Sequence, residues 1–304
     1  MNTTSSKGPA VELTDLWKLF RRAIAVNGVN LQIPAGCIFG LIGPNGAGKS
    51  TTIKMLMGML RPTRGQVQVL GLDVVAQGVE LRQRVGYVPE SHQIYRWMRV
   101  EEVIRFCRAH YRTWNAQLCQ ELLELFQLDP RRKVRHLSKG MLGKLALLLA
   151  LAHEPELLIL DEPMAGLDPV AREEFLDGVL RTICQRQQTV LFCTHMLDDV
   201  QRLADTIGIL YEGQLLVHRG IDDLLTSTKR IRATLMDGQH PSAVPDDTIW
   251  QRVNGREWLV TVDKFSTEKV ERLRAQNPVE HVEVFDLGLE DLFKDFVRGQ
   301  RAAS

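Results

Sequence analysis

A run of residues near the N-terminus has the types and spacing of a phosphate-binding loop. The pattern G-x-x-x-x-G-K-[ST] is matched at every fixed position by Gly43, Pro44, Asn45, Gly46, Ala47, Gly48, Lys49 and Ser50. Glycines let the backbone curl so that successive N–H groups point at a phosphate, and a helix N-terminus adds positive potential. The pattern predicts that Lys49 reaches the β- and γ-phosphates of a nucleoside triphosphate and that the Ser50 hydroxyl holds Mg²⁺.

The loop lies between two elements of the kind that it requires. Residues 37–42 form an apolar run of strand length, and residues 51–59 carry apolar side chains at helical spacing. This context favours a phosphate loop over a glycine-rich turn that matches by chance. The order of the glycines differs from the fingerprint G-x-G-x-x-G, which disfavours a dinucleotide-dependent dehydrogenase.

Two carboxylates follow an apolar stretch further along the chain. Residues 157–160 are all apolar, and Asp161 and Glu162 come directly after them. Such strands belong to parallel sheets covered on both faces, where ligands bind at the carboxyl ends of the strands. We therefore expect these carboxylates beside the Mg²⁺ and the attacking water. The alternative, a pair of acids that begin a helix, does not account for the strand before them.

A histidine follows a second apolar strand in the same way. Residues 189–194 have the composition of a buried strand, and His195 comes next. A single histidine is more often structural, but this position at the carboxyl end of a predicted parallel strand favours a functional role.

Other patterns predict the elements around these residues. Strand patterns cover residues 11–13, 29–33, 66–69, 85–90, 206–211 and 215–217. The first three alternate between apolar and polar side chains, which predicts a small antiparallel sheet beside the loop, and the last two predict a terminal hairpin. Helical patterns run from residue 100 to about 128, with Asn115 between two helices, and from Ser138 as an N-cap to about residue 153.

Composition limits the classes of protein to consider. The chain has 304 residues, of which 44% are apolar and 25% charged, and its net charge of +1 gives no argument for a nucleic-acid partner. The five cysteines form no C-x-x-C motif, so we interpret them as reduced core thiols of a cytosolic protein. Residues 1–9 lack an apolar leader, and the longest apolar run, residues 145–152, falls short of the roughly 20 residues of a membrane span.

Taken in order, the motifs resemble those of the nucleotide-binding subunit of ATP-binding cassette (ABC) transporters. They are Phe20, residues 43–50, Leu-Ser-Lys-Gly-Met at 137–141, residues 157–162, Ala-Gly-Leu-Asp at 165–168, and Thr194-His195. The resemblance covers about residues 10–225. It implies an α/β P-loop NTPase core with a mainly parallel sheet, a small antiparallel β subdomain and an α-helical subdomain at about residues 90–153. It also implies a head-to-tail dimer that holds two ATP molecules in its interface.

The resemblance gives roles to the residues that would bind the nucleotide. Phe20 matches the aromatic residue that stacks on adenine, although a core or surface aromatic would be the better interpretation of Phe20 alone. Lys49, Ser50 and Thr51 match the ligands of the phosphates and Mg²⁺.

The resemblance also gives roles in hydrolysis. Asp161 matches the Mg²⁺-linked acid, Glu162 the catalytic base, and His195 the switch histidine at the γ-phosphate. Asp168 matches the loop that links the two sites of the dimer.

The match to the family's signature is incomplete. Ser138 and Gly140 match residues that contact the γ-phosphate of the ATP held by the opposite subunit, but Lys139 and Met141 replace a glycine and the glutamine of L-S-G-G-Q. Glu90 stands where the family has a glutamine that touches Mg²⁺ and water. A carboxylate there still suits a metal, and neither departure argues against activity.

The segment that follows Glu90 is predicted to dock on a partner. Residues 90–102 include Tyr95, Trp97 and Met98, and the resemblance places the contact with a permease here. Aromatic residues, Met and Arg are enriched at protein interfaces. The alternative is that Tyr95 and Trp97 pack beneath the helical subdomain.

Residues 229–304 lie outside the cassette. Their sequence patterns predict strands at 230–236, 250–262 and 279–285, a hairpin turn at Asn254-Gly255, and helices at 266–276 and 289–297. We expect a small C-terminal α+β accessory domain, ferredoxin-like in arrangement, beside an ATPase domain of residues 10–225. It resembles C-terminal extensions of exporter-type ATPase subunits, and we favour packing or dimer stabilisation over ligand sensing.

Two classes of function remain. The first is an ATPase subunit that powers a membrane transporter, with ATP and Mg²⁺ as cofactors. Its partners would be a transmembrane permease on a separate chain and an identical or different second ABC ATPase, and its location would be cytoplasmic, at the inner face of the cell membrane. The second is a soluble ABC ATPase that acts on ribosomes, DNA or a protein assembly. Such proteins often carry paired cassettes, long coiled coils or zinc motifs, which this sequence lacks.

Overall fold

The computed structural model describes residues 8–186 and 188–303. Most of the polar stretch 1–9 and the side chain of Cys184 lie outside the described residues. None of the cysteines with described side chains forms a disulfide; Cys119 and Cys193 are buried, whereas Cys37 and Cys107 are only half-buried. Contacts divide the chain into two compact units, Met1–His195 with Leu210–Val217, and Met196–Ile209 with His218–Ser304.

The strands and helices of the described residues follow one another in groups of one to three. The strands are β1 (Val11–Phe20), β2 (Ala23–Ile33), β3 (Ile38–Ile42), β4 (Arg64–Val69), β5 (Leu72–Asp73), β6 (Val85–Val88), β7 (Leu157–Asp161), β8 (Thr189–Thr194), β9 (Thr206–Tyr211), β10 (Gln214–Gly220), β11 (Lys229–Leu235), β12 (Thr248–Asn254), β13 (Glu257–Val262) and β14 (Val279–Asp286). The helices are α1 (Lys49–Leu56), α2 (Gly78–Arg84), α3 (Val100–Arg108), α4 (Ala116–Leu125), α5 (Lys139–Leu151), α6 (Pro169–Arg186), α7 (Leu197–Leu203), α8 (Ile221–Ser227), α9 (Thr267–Gln276) and α10 (Leu289–Ala303). None of the helices in the described part of the chain is both long and apolar enough to cross a membrane.

A six-stranded sheet carries the predicted site residues at one edge. Its strand order is β10-β9-β3-β8-β7-β6, and β3, β8, β7 and β6 run parallel to one another. Every residue of β7 and β8 is buried, as their continuous apolar patterns predict. The mainly parallel core expected from the sequence is confirmed, and its strand order brings the carboxyl ends of β3, β7 and β8 together.

A second, antiparallel sheet packs on the same core. Its order is β2-β1-β4-β5, so the predicted small antiparallel sheet is confirmed and extended by the short strand β5. Apolar residues of both sheets, such as Leu16 and Val67 from this sheet and Phe39 and Ile159 from the parallel one, form a single buried cluster. Burial of this apolar area is the main force that holds the two sheets together.

Two helices of the helical region begin at a capping side chain: Ser138, which the sequence predicts as an N-cap, and Asn115, which it places only between two helices. Asn115 accepts a hydrogen bond from the backbone N–H of Leu118 at 2.8 Å and caps α4. Ser138 accepts one from the N–H of Met141 at 3.2 Å and caps α5. These side chains satisfy backbone donors that have no partner inside the helix, which fixes where each helix starts.

The C-terminal α+β unit contains a four-stranded antiparallel sheet with the order β12-β13-β11-β14. The predicted hairpin turn is present, with Gly255 at a φ of 59° between β12 and β13. A ferredoxin-like βαββαβ motif requires a helix between its first two strands, and residues 236–247 form none. Pro241, Pro245 and Gly238 account for this difference, because they interrupt helical backbone hydrogen bonding and conformation.

Four helices, α2, α6, α7 and α8, did not emerge from the sequence patterns. Three of them have seven residues each, too few for a clear apolar period. The fourth, α6, is long but begins with the run Pro-Val-Ala-Arg-Glu-Glu, of which half is charged. Their formation depends on the packing that the rest of the fold provides.

Gly178 in α6 provides a test of this packing. A Cβ at this position would lie 2.4 Å from Cε1 of Phe126, a side chain that is only 1% exposed. We expect Gly178→Ala to lower the free energy of unfolding by about 1–3 kcal/mol through overpacking. The measurement is equilibrium denaturation.

Gly143 in α5 is the matched control, because the nearest atom to an added Cβ lies at 3.4 Å. We expect Gly143→Ala to be neutral or to stabilise by up to about 1 kcal/mol through higher helix propensity. Equal stability of the two variants would contradict the packing described for Gly178.

Candidate functional site

The predicted phosphate loop connects β3 to α1 and lines a cavity of about 380 Å³. Gly46 and Gly48 adopt φ values of 82° and 103°, which side chains with a Cβ rarely tolerate. A Cβ at Gly43 or Gly48 would lie 2.3 Å from a backbone carbonyl oxygen. These positions therefore require glycine for the loop to take this shape. The other lining residues are Ala25, Pro44, Asn45, Ala47, Lys49, Ser50, Thr51, Glu90, Glu162, Ala165 and His195.

Lys49 lies buried at the base of the loop. Its Nζ donates to the carbonyl oxygens of Gly43 at 2.6 Å and Pro44 at 3.3 Å, and it lies 3.6 Å from Oε1 of Glu162. A buried ammonium group is costly unless it is paired and hydrogen-bonded. The carbonyls and the carboxylate supply those partners and hold the charge at the centre of the cavity.

Ser50 and Asp161 face each other across the site. The Ser50 hydroxyl donates to Oδ1 of Asp161 at 3.3 Å. Burial raises the pKa of the Asp161 carboxyl, and the charges of Glu90 and Glu162 act in the same direction, whereas the Ser50 hydrogen bond and Lys49 lower it. A hydroxyl and a carboxylate are hard oxygen ligands of the kind that Mg²⁺ takes, so this pair fits such an ion.

Glu162 and His195 meet where β7 and β8 end. Nδ1 of His195 lies 2.8 Å from Oε2 of Glu162, and the Thr194 hydroxyl lies 3.4 Å from the same oxygen. The Glu162 side chain is 8% exposed, while that of His195 is 50% exposed and faces the cavity. Glu162 also has a positive φ of 48°, an uncommon backbone state that occurs preferentially at functional sites.

Sequence patterns did not point to all the residues at this site. Ala25, in β2, lines the cavity and belongs to none of the sequence motifs, whereas Ala165, which also lines it, and Thr194, which approaches Glu162, lie within motifs but received no role. The alanines have no polar group that could mark them. Thr194 had one available signal, since it directly precedes His195 at the end of an apolar strand.

Phe20 lies apart from the residues that line the cavity. It is the last residue of β1, its side chain is 49% exposed, and Nζ of Lys18 lies 5.2 Å from the centre of its ring. An exposed aromatic face beside a cation suits stacking with a planar ligand.

The signature residues also lie outside the cavity lining. Ser138 is exposed and its hydroxyl caps α5, and a Cβ at Gly140 would lie 3.1 Å from that of Ala171. Lys139 is exposed, and its Nζ lies close to Gly166. Asp168 accepts a hydrogen bond from the N–H of Ala171 at 3.0 Å at the start of α6. Within one chain, these residues are therefore not brought to the phosphate loop.

Comparison with known proteins places this geometry in a family. The family model described as "ABC transporter" matches residues 26–165. The chain is 38% identical over 220 residues to the probable multidrug ABC transporter ATP-binding protein YbhF of Escherichia coli, a match that covers 70% of this chain and only 38% of YbhF. It is 31% identical over 236 residues to the bacitracin transport ATP-binding protein BcrA of Bacillus licheniformis, covering 77% of each chain.

Solved structures agree with the sequence relatives. A structure described as the ATP-binding subunit of an ABC transporter superposes with a TM-score of 0.65 and 30% identity, covering 70% of this chain and 91% of that one. The phosphate loop, the paired carboxylates after β7 and the histidine after β8 thus occur in a chain whose fold and sequence match one family. The chain belongs to the family of ABC transporter ATP-binding proteins.

Proposed function

We propose that this chain is the ATP-binding and ATP-hydrolysing subunit of an ABC membrane transporter whose permease is a separate chain. The observation that carries the proposal is the convergence of Lys49, Glu162 and His195 on one glycine-lined cavity. The transporter names of the relatives favour this function over a soluble ABC ATPase that acts on ribosomes, DNA or a protein assembly.

ATP binding follows from the chemistry of the loop. The curled backbone of residues 43–50 directs N–H groups at the phosphates, and the N-terminus of α1 adds positive potential. Lys49 exchanges its contact with Glu162 for the β- and γ-phosphates, which are stronger partners for an ammonium group. Thr51 contributes to the same phosphate contacts, and Phe20 stacks on the adenine.

Mg²⁺ fits the oxygen ligands at the edge of the cavity. Ser50 and Asp161 would hold it, with Glu90 as a further carboxylate that lines the cavity. The bound ion would supply positive charge to the phosphate oxygens. Ser50 and Asp161 are pre-positioned for this role by their mutual hydrogen bond.

Hydrolysis requires a water molecule that is oriented and partly deprotonated. Glu162 lies at the cavity wall with its carboxylate fixed by His195, so it is placed to accept a proton from such a water. His195, half exposed on the cavity side, presents its ring to the γ-phosphate. Catalysis by this arrangement is a matter of positioning and electrostatics.

A second subunit completes the site. Ser138 and Gly140 lie outside the cavity of their own chain, which supports the proposal that they contact ATP held by a partner in a head-to-tail dimer. Lys139 adds a positive charge near those phosphates, and Asp168 lies in the loop that connects the two sites. An identical chain or a different ABC ATPase would fit as the partner.

The permease is proposed to dock on the aromatic segment after Glu90. Tyr95 and Trp97 are 53% and 66% exposed, with their rings 5.9 Å apart, and Tyr95 makes an edge contact with Phe106. Such exposure supports a partner surface over packing beneath the helices. The subunit would then lie in the cytoplasm, peripheral to the inner face of the cell membrane. The ATPase domain is proposed to span residues 10–225, and the accessory domain residues 229–304.

Glu162→Gln tests the proposed base. The amide keeps the size of the side chain but does not accept the proton, so we expect ATP to bind while steady-state hydrolysis falls by about two orders of magnitude or more. Phosphate release by the full chain is the measurement. Glu173→Gln, at an exposed position of α6, is the control and should retain activity. Wild-type turnover by Glu162→Gln would exclude the role of Glu162 as base.

Ser138→Asp tests whether Ser138 contacts the ATP that a second subunit holds. In the Glu162→Gln background we expect ATP to convert monomers into dimers, because a ligand that bridges two chains favours their association. Aspartate keeps the N-cap of α5 but repels the γ-phosphate, so Ser138→Asp should abolish this dimer in light scattering.

Ser266→Asp makes the same substitution at the N-cap of α9 and serves as the control. It should still form the dimer with ATP. Dimers that form without ATP, or that still form in the Ser138→Asp variant, would indicate that the dimer interface lies elsewhere, for example in the C-terminal unit.

Tyr95→Ala combined with Trp97→Ala tests the docking surface. We expect loss of co-purification with the permease and of transport, because aromatic anchors often dominate binding. The melting temperature should stay as in the wild type, since both side chains are exposed. The control replaces two other exposed apolar residues, Met59 and Val79, by alanine. A lower melting temperature with intact permease binding would assign Tyr95 and Trp97 to packing instead.

A further inference from the structure

Six cationic side chains lie together beside the exposed Tyr95–Trp97 pair. We call them the basic cluster: Arg96, Arg99, Arg131, Arg132, Lys133 and Arg135. All are exposed except Lys133, which is half-buried. The whole chain carries a net charge of only +1, so acidic residues elsewhere in the chain balance the positive charge that is concentrated on this surface.

Backbone hydrogen bonds bring the two parts of the basic cluster together. Residues 96–100 and 131–135 are distant in sequence but lie side by side. The bonds run from Arg135 N to Arg96 O at 2.9 Å, from Val134 N to Met98 O at 2.9 Å, and from Val100 N to Arg132 O at 3.0 Å. In addition, Nη1 of Arg99 donates to the carbonyl oxygen of Arg131 at 2.5 Å. The like charges are therefore held close together by the fold.

The positive charges of the basic cluster are not neutralised within the described residues. No ion pair joins any of the six to a carboxylate there. Two neighbouring acids are engaged by backbone N–H groups: Glu102 accepts from Arg99 at 2.7 Å, and Asp129 accepts from Arg131 at 2.9 Å. A third, Glu101, is exposed and lies more than 4 Å from the charged atoms of the cluster. Holding six like charges together costs free energy, which a polyanionic partner would offset.

We propose that the basic cluster binds directly to the surface of an anionic phospholipid bilayer. Groups of four to eight Lys and Arg residues attract anionic headgroups. A bilayer presents phosphates over a broad surface, which suits cations on an open surface outside the nucleotide cavity. This contact goes beyond the proposed attachment through a permease, and it requires neither a permease nor ATP hydrolysis.

Vesicle sedimentation with the full chain tests the proposal. We expect binding to vesicles that mix phosphatidylcholine with phosphatidylglycerol, no binding to phosphatidylcholine alone, and loss of binding as salt is raised. The test variant replaces Arg131, Lys133 and Arg135 together by glutamine. Its affinity should fall about a hundredfold, since each such cation contributes about fivefold near an anionic surface.

The control variant removes the same number of charges from exposed positions elsewhere, by replacing Lys54, Arg252 and Arg272 with glutamine. It should bind anionic vesicles like the wild type, and melting temperatures should show that both variants fold. An equal loss in the two variants, or no binding of wild type to anionic vesicles at low salt, would overturn the proposal. Tighter binding to a DNA duplex than to the vesicles would overturn it also, in favour of nucleic acid. Hydrolysis assayed without vesicles reports separately on the proposed ATPase function.

Discussion

The contact of Glu162 with Lys49 and His195 is the interaction on which the arrangement of the site depends. Oε1 lies 3.6 Å from Lys49 Nζ, and Oε2 lies 2.8 Å from His195 Nδ1. Buried charges need partners at short range, so β3, β7 and β8 must be neighbours with their carboxyl ends at the same edge. The glycines of the loop meet a separate, steric requirement, since a Cβ at Gly43 or Gly48 would lie 2.3 Å from a backbone carbonyl oxygen.

The parts of the site that could be predicted are those whose chemistry appears in a local pattern. The phosphate loop, the carboxylates after an apolar strand and His195 after another each combine a polar residue with a strand end, and parallel strands bring such ends together. Ala25 was not predicted, because its side chain has no polar group and because it lies in the antiparallel sheet rather than in the sheet that carries the other site residues. In the fold, α6 was not predicted, because half of the residues in its first turns are charged. The C-terminal sheet has the strand order of a ferredoxin-like unit, but the first helix of that arrangement is absent where prolines interrupt residues 236–247.

One short segment connects the nucleotide cavity to the surface proposed for docking. Glu90 lines the cavity, and the His92 ring packs near Gly143 in α5, where burial lowers its pKa and the charge of Lys139 lowers it further. Tyr95 and Trp97 follow on the surface. Because Glu90, Tyr95 and Trp97 lie in one short segment of the backbone, a change at the phosphates that moves Glu90 would also move the aromatic pair. The basic cluster beside that pair would hold this surface close to the bilayer on which the permease acts.

Hydrogen exchange at the backbone amides of residues 43–50 measures whether these amides hold the phosphates of ATP. In the Glu162→Gln chain, which should keep its nucleotide, we expect ATP with Mg²⁺ to slow exchange across this loop and AMP, which lacks the β- and γ-phosphates, to leave it unchanged. Exchange that ATP does not alter, or that AMP slows equally, would show that the loop does not hold these phosphates.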